Sequence, residues 1–138
     1  MSSTHDTLAH DHRHIVLTAR GLAAPPRTAE AVAGWLERLV AAVSMRVLMG
    51  PYATRCETPG NEGCTGVVVI ETSHASVHIW DRVPEPFAKI DLYSCRTFSS
   101  GKVLRLLEEF RPTAVEWLVL DRNADAELIE GGRLEPSP

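Results

Sequence analysis

The stretch from His74 to Trp80 constrains the fold most, because polar and apolar side chains alternate along it. Ala75, Val77 and Ile79 would lie on one side of an extended chain, and the polar and aromatic residues on the other. This alternation predicts a strand with one face in the core. Since β-prone runs flank it, we expect three successive strands, at 67–71, 76–81 and 87–94, in a largely antiparallel sheet.

The remaining periodic segments complete a simple order of elements. Short β-prone runs predict strands, and apolar residues at helical spacing predict two helices, the first with Thr28 as its N-cap. A stretch rich in Gly and Pro predicts one long loop. The order β-α-β-β-β-β-α-β predicts an α+β fold, an antiparallel sheet with two helices packed on one face. The predicted segments are strands at 14–20, 46–49 and 114–121, helices at 29–43 and from Ser99 or Ser100 to Pro112, and a loop at 50–64.

Composition excludes several partners and locations. The 138 residues carry a formal net charge of -4 without a basic patch, which argues against nucleic acid as a partner. No apolar run approaches the roughly 20 residues that span a bilayer, and no signal-peptide pattern is visible, so we expect a cytoplasmic protein without membrane contact. We predict a single domain at 12–122 between mobile polar tails at 1–11 and 123–138.

Cysteine and histidine do not predict a metal site. Cys56 and Cys64 lack the close spacing of zinc ligands, and an odd cysteine count argues against a disulfide framework. Four histidines near the N-terminus are compatible with a metal-binding tract. We favour a polar tail, with only His14 ordered, because no recognisable motif places a carboxylate or thiol partner nearby. The four histidines are His5, His10, His12 and His14.

Ser73 lies at a tight connection between two predicted strands, where the chain has to reverse over 72–75. Such turns can hold a peptide in sparsely populated geometry, and a hydroxyl beside a strained carbonyl can attack it. His78, which we expect the strand to hold near this turn, suits proton abstraction, Thr65 can donate a hydrogen bond, and the Cys95 thiol can deliver a proton. Singly, each is more often an ordinary turn, surface or core residue. The combination carries the inference.

The combined pattern resembles the self-cleavage segment of prokaryotic S-adenosylmethionine decarboxylase proenzymes. That family has a small hydroxyl residue and Gly, an apolar run, Ser-His, a hydroxyl residue, His and Trp, then Asp-x-aromatic-x-Cys. The matching residues are Thr65, Gly66, Ser73, His74, Ser76, His78, Trp80, Asp91, Tyr93 and Cys95. The resemblance implies cleavage between Thr72 and Ser73, with Ser73 the precursor of a covalent pyruvoyl cofactor. It also implies that Thr65 is the processing hydroxyl, His78 the processing base and Cys95 the proton donor in turnover.

The same resemblance implies an activity, the decarboxylation of S-adenosylmethionine for spermidine biosynthesis through a Schiff base with the pyruvoyl group. The cleaved protomers would form a homodimer or a higher homo-oligomer. Tyr52 and Trp80 are candidate stacking partners for the substrate adenine. Thr72 stands where the family usually has Glu, and the loops at 50–64 and 81–86 differ from the family. These departures leave two alternatives open: arginine or ornithine as the substrate, and an unprocessed homologue acting as a binding or regulatory subunit.

Overall fold

One antiparallel sheet and two helices make up the fold. The computed structural model describes residues 11–135. The elements in chain order are β1 Arg13–Arg20, α1 Ala29–Ala42, β2 Val47–Cys56, β3 Gly63–Ile70, β4 Ser73–Trp80, β5 Phe87–Ser94, α2 Ser100–Leu106, a 3-10 helix Leu107–Phe110, β6 Ala114–Asp121 and β7 Glu127–Leu134. Within these residues the strands form one sheet in the order β2-β3-β4-β5-β1-β6-β7, with every neighbouring pair antiparallel. The predicted α+β class is confirmed, with one strand added after β6.

Both helices pack on the same face of the sheet, as predicted. α1 contacts β2, β3, β4 and α2. Thr28 caps α1, its Oγ1 accepting a hydrogen bond from the amide of Ala31 at 3.1 Å. The buried Trp35 of α1 lies 4.9 Å from Phe110 between ring centroids, and its Nε1 donates to the carbonyl of Leu106 at 3.2 Å. In the described part of the chain, no helix is long and apolar enough to cross a membrane.

A glycine allows α1 to approach β3 closely. A Cβ atom at Gly66 would lie 2.6 Å from Cγ1 of Val32 and 2.8 Å from Cδ1 of Leu36, both of which are fully buried in α1. Any side chain at this position would push the helix away from the sheet. The glycine of the Thr65-Gly66 pair therefore has a packing role.

The opposite face of the sheet, which we call the open face, is not covered by any helix of residues 11–135. Along β4 the odd-numbered residues Ala75, Val77 and Ile79 are buried against the helices. His78 is half-buried and His74 is exposed on the open face, so the predicted alternation is confirmed. Large apolar side chains exposed on this face include those of Tyr52, Val67 and Leu118.

The loop predicted at 50–64 is wrong, because most of it belongs to two strands. β2 continues through register shifts between Val47 and Tyr52 and ends at Cys56, so its connection to β3 covers only 57–62. Of the residues that suggested a loop, Pro59 and Gly60 do lie in that connection and Gly63 starts β3, whereas Gly50 and Pro51 lie in an irregular strand at the edge of the sheet. Edge strands tolerate such residues because one side of their backbone makes no ladder hydrogen bonds.

The irregular tail predicted at 123–138 is also wrong for residues 127–134, which form β7. All side chains of β7 are exposed, which explains why its composition resembles that of a tail. Gly132 pairs with Trp117, and a Cβ atom there would lie 2.8 Å from Cη2 of the indole, so glycine makes room for it. Residues 1–10, including His5 and His10, lie outside the described residues, whereas His12 is described.

Candidate active site

Ser73 occupies a strained position at the start of β4. Ile70 of β3 pairs directly with Ser73, so only Glu71 and Thr72 form the turn between the two strands. The φ angle of Ser73 is 149°, in a region that favours glycine. Such conformations cost on the order of 1–3 kcal/mol and persist only where the surroundings enforce them. The predicted tight turn is therefore present, although β4 begins three residues earlier than the strand predicted at 76–81.

Two chain segments hold the turn that contains the peptide bond between Thr72 and Ser73. The amide of Cys95 donates a hydrogen bond to the Thr72 carbonyl at 2.8 Å. On the other side, the buried Thr72 hydroxyl donates to Sδ of Met45 at 3.1 Å, and the Glu71 amide donates to the Arg46 carbonyl at 2.9 Å. Because β5 ends beside Ser73, with Ser94 as its register partner, Cys95 lies at this turn as the pattern suggested.

Thr65 and His78 form a second group on the open face. They are directly opposite in the β3–β4 register, and Oγ1 of Thr65 lies 3.1 Å from Nδ1 of His78. Two residues along β4, Trp80 stacks on Phe87 with ring centroids 4.8 Å apart, and its Nε1 donates to Oδ1 of Asn61 at 2.7 Å. The structure therefore brings together two of the residues that the pattern singled out.

The Thr65–His78 group is remote from Ser73 within one chain. The Thr65–His78 pair lies five register positions from the Ile70–Ser73 pair. At about 3.3 Å per residue, this separates the two groups by about 17 Å along the sheet. The expectation that β4 holds His78 near the turn is therefore wrong for a single chain, because β4 is extended and carries His78, its sixth residue, away from Ser73, its first.

Tyr52 and Trp80 flank the Thr65–His78 pair rather than Ser73. Tyr52 pairs with Val67, two residues along β3 from Thr65, and its side chain is 59% exposed at the sheet edge. Trp80 lies two residues beyond His78 on the same face of β4, where its ring centroid is 6.3 Å from that of His78. Trp80 therefore lies beside the imidazole, and Tyr52 lies at the sheet edge on the same face.

A polar cluster centres on Asp91 of β5, whose register partner is Ser76, and it includes His74, the residue after Ser73. Oδ2 of Asp91 lies 2.8 Å from Nε2 of His14 and 3.6 Å from Nε2 of His74, and Ser76 donates a hydrogen bond to Oδ1 of Asp91. Burial opposes ionisation of Asp91, but the hydrogen bonds from His14 and Ser76 outweigh it, so its pKa lies below the usual value. In the sequence, Asp91 was noted only as part of the family pattern. The alternation along β4 did predict that two of its partners, His74 and Ser76, share one face of the strand.

Neighbouring groups fix the tautomer of His14 in this cluster. Nη1 of Arg122 lies 3.1 Å from Nδ1 of His14, and a guanidinium can only donate. Nδ1 therefore accepts, and the proton on Nε2 points at Asp91. Within residues 11–135, no group of three or more His, Cys, Asp or Glu side chains is placed to hold a metal ion.

A buried ion pair stabilises the opposite end of the β3–β4 hairpin. Asp81 follows β4 with a fully buried side chain, and Arg55 of β2 binds its two oxygens at 2.6 and 3.0 Å. The hydrogen bond from Arg55 is the main cause that lowers the pKa of Asp81. Arg55 also donates to the carbonyl of Arg27 at 3.0 Å, which connects the hairpin to the segment before α1.

Comparison with known proteins identifies the family. The family model described as S-adenosylmethionine decarboxylase matches residues 13–123. The chain belongs to the S-adenosylmethionine decarboxylase family. The match contains both groups of the candidate site and ends before β7, so the last strand of the sheet lies outside it.

Curated relatives agree with this assignment, and a solved structure shares the fold. The S-adenosylmethionine decarboxylase proenzyme of Archaeoglobus fulgidus is 40% identical over 63 residues, covering 44% of this chain and 54% of that protein. The proenzyme of a Sulfurihydrogenibium species is 31% identical over 78 residues, covering 53% of this chain and 55% of that protein. The chain thus spans about half the length of these relatives. The crystal structure of the Aquifex aeolicus adenosylmethionine decarboxylase shares the fold, with a TM-score of 0.67, 22% identity and coverage of 88% of this chain and 98% of that one.

Proposed function

We propose that this chain is the self-cleaving proenzyme of a pyruvoyl-dependent S-adenosylmethionine decarboxylase. The observation that carries the proposal is the Thr72–Ser73 peptide, in which a strained serine follows a carbonyl that accepts a hydrogen bond from the Cys95 amide. The geometry suits nucleophilic attack by a neighbouring hydroxyl, since the amide would stabilise the developing oxyanion. Both curated relatives bear the name proenzyme, which supports the same reading.

Self-cleavage would proceed in two stages at this peptide. First, the Ser73 hydroxyl oxygen bonds to the Thr72 carbonyl carbon, the peptide C–N bond breaks, and the hydroxyl proton ends on the Ser73 nitrogen. A base then removes the Ser73 α-proton, the Cβ–O bond breaks, and Thr72 leaves as a carboxylate. Water hydrolyses the resulting enamine, through its imine tautomer, to a ketone with release of ammonia. The new N-terminus at position 73 would then be a pyruvoyl group, and residue 72 would end the other fragment.

The described residues suit such a group at position 73. A pyruvoyl ketone supplies an electrophile that condenses with a substrate amine and takes up the electrons released when carbon dioxide departs. Ser94 is the register partner of Ser73, and the half-buried Cys95 follows it directly. The Cys95 thiol would deliver a proton to the substrate carbon. Tyr52 and Trp80 would contact the adenine, because aromatic faces stack on nucleobases.

A second copy of the chain would complete the site. Thr65 and His78 lie about 17 Å from Ser73 within one chain, because strand residues advance by about 3.3 Å each. Thr65 and His78 lie on the open face, and Ser73 starts a strand of the same sheet. The exposed Tyr52, Val67 and Leu118 of the open face suit burial against another sheet. In a two-fold dimer packed through this face, His78 and Thr65 of one protomer would lie beside Ser73 of the other. A cytoplasmic location stays a prediction from the sequence.

Decarboxylation assays on the purified full chain test this function. Carbon dioxide release from S-adenosylmethionine labelled in its carboxyl carbon is expected from the cleaved protein and not from Ser73→Ala, which lacks the precursor hydroxyl. Arginine and ornithine, assayed alongside, are expected to release none. Release from either amino acid in preference to S-adenosylmethionine would contradict the proposed substrate. A chain that cleaves but decarboxylates none of the three would contradict the proposed activity.

A further inference from the structure

We propose that Met45 is a positioning residue for self-cleavage, acting through the side chain of Thr72. This inference rests on the proposed function, because it concerns the rate at which the Thr72–Ser73 peptide breaks. Met45 lies in the turn between α1 and β2 and is 8% exposed. Its Sδ accepts the hydrogen bond of the Thr72 hydroxyl at 3.1 Å. The thioether thus holds the residue whose carbonyl carbon is attacked.

The contact belongs to a closed ring of interactions around the cleavage turn. The turn 44–46 binds the turn 71–72 through the Thr72–Met45 contact and through the Glu71 amide, which donates to the Arg46 carbonyl at 2.9 Å. The turn 71–72 binds the end of β5, because the Cys95 amide donates to the Thr72 carbonyl at 2.8 Å. Arg96 closes the ring, since its Nη2 donates to the carbonyl of Ser44 at 2.8 Å.

This ring explains why Thr72 is held by both its side chain and its carbonyl. A threonine hydroxyl is neither an acid nor a base near neutral pH, so the role open to Thr72 is orientation. With the hydroxyl anchored on Met45 and the carbonyl anchored on Cys95, the plane of the scissile peptide is fixed against the Ser73 hydroxyl. Loss of the sulfur anchor would allow the turn to relax away from the strained φ angle of Ser73.

Cleavage kinetics of the full chain test this role. Cell-free synthesis followed by intact-mass spectrometry gives the rate at which the 138-residue chain splits into 1–72 and 73–138. Met45→Leu keeps the side-chain volume and removes the thioether, and Thr72→Val removes only the hydroxyl donor. Each change is expected to slow cleavage about three- to tenfold, the range that corresponds to one modest hydrogen bond. Thr72→Ser, which retains the hydroxyl, is expected to cleave at close to the unmodified rate.

Two comparisons separate positioning from packing. Met49→Leu makes the same change at a methionine that is 54% exposed on β2, and it is expected to leave the rate unchanged. Since Met45 and Thr72 act through one contact, the double variant is expected to be no slower than the slower single variant. Addition of hydroxylamine, which cleaves the ester, is expected to show the same slowing, because the contact acts before the ester forms.

Distinct results would overturn the inference. If Met45→Leu cleaves as fast as Met49→Leu, or if Thr72→Ser is as slow as Thr72→Val, the sulfur contact does not position the peptide. If the double variant is slowed by the product of the two single-variant factors, the two residues do not act through one contact, and the inference is also overturned. An unmodified chain that never cleaves would overturn the proposed function together with this inference, whereas normal cleavage of all variants would overturn this inference alone. Thermal unfolding of the same variants in the uncleavable Ser73→Ala background is expected to show similar, small losses of stability for Met45→Leu and Thr72→Val, because each removes the same hydrogen bond. A loss confined to Met45→Leu would assign the slowing to packing and overturn the inference.

Discussion

Two chains that each lack one half of the site are expected to restore cleavage when they assemble together. Ser73→Ala removes the nucleophile and keeps His78, and His78→Ala removes the imidazole and keeps Ser73. The β3–β4 register places these residues five positions apart, about 17 Å at 3.3 Å per residue, which is several times the reach of a hydrogen bond. Only a second copy can therefore bring the imidazole to the serine.

The expected yield follows from random pairing. If the two variants are co-expressed in equal amounts, about half of the His78→Ala chains have a Ser73→Ala partner in a two-fold dimer. We therefore expect about half of the His78→Ala chains to cleave, while the Ser73→Ala chains remain whole. Different affinity tags on the two chains distinguish their fragments by intact-mass spectrometry and confirm that mixed dimers have formed.

Each variant expressed alone is the control, and both are expected to stay intact over the same period. Cleavage of His78→Ala alone at the unmodified rate would refute the assignment of this imidazole to processing. Mixed dimers that form, as shown by tag capture, but never cleave would refute the claim that a second copy supplies His78 to the turn.

Predictions for three further variants, two on stability and one on association, use the uncleavable Ser73→Ala background, so that cleavage does not interfere. Asp81→Asn removes a buried partner of Arg55 and should lower the free energy of unfolding in urea by about 2 kcal/mol; an unchanged midpoint would show that the pair adds nothing. Because the folded-state pKa of Asp81 is lowered, its contribution is fully present above about pH 4 and lost as the pH falls through the folded value, and Asp81→Asn should flatten that acid decline. Gly66→Ala should cost about 1–3 kcal/mol because its Cβ would overlap Val32; a thermal midpoint equal to the parent's would contradict the proposed closeness of α1. Deletion of 127–138 removes β7, uncovers the edge of β6 and should promote association in light scattering, an effect that a monodisperse truncated chain would disprove.

Sequence patterns predicted the parts of this fold that depend on local periodicity. The alternation along β4 identified the strand and its two faces, and the helical spacing from Val32 to Val40 identified α1 and its buried side. These elements can be predicted from the sequence because buried side chains recur at a fixed interval along a half-buried strand or helix.

Features that depend on pairing between distant segments could not be predicted from the sequence. β7 carries no apolar alternation, because both of its faces are exposed and β6 is the one described strand that pairs with it. The separation of His78 from Ser73 follows from the rise along β4, and the sequence pattern missed it because the predicted strand began at Ser76 instead of Ser73. No sequence pattern indicated Met45, because its proposed role depends on a contact with Thr72, which lies in a different turn of the chain.

The cleavage state of the purified chain tests the central claim most directly. Intact-mass spectrometry of the full protein is expected to show two fragments, 1–72 and 73–138, the second lacking the amine of an N-terminal serine. Ser73→Ala is expected to give one uncleaved chain. A single intact 138-residue species from the unmodified sequence, persisting after prolonged incubation of the assembled protein, would contradict the account.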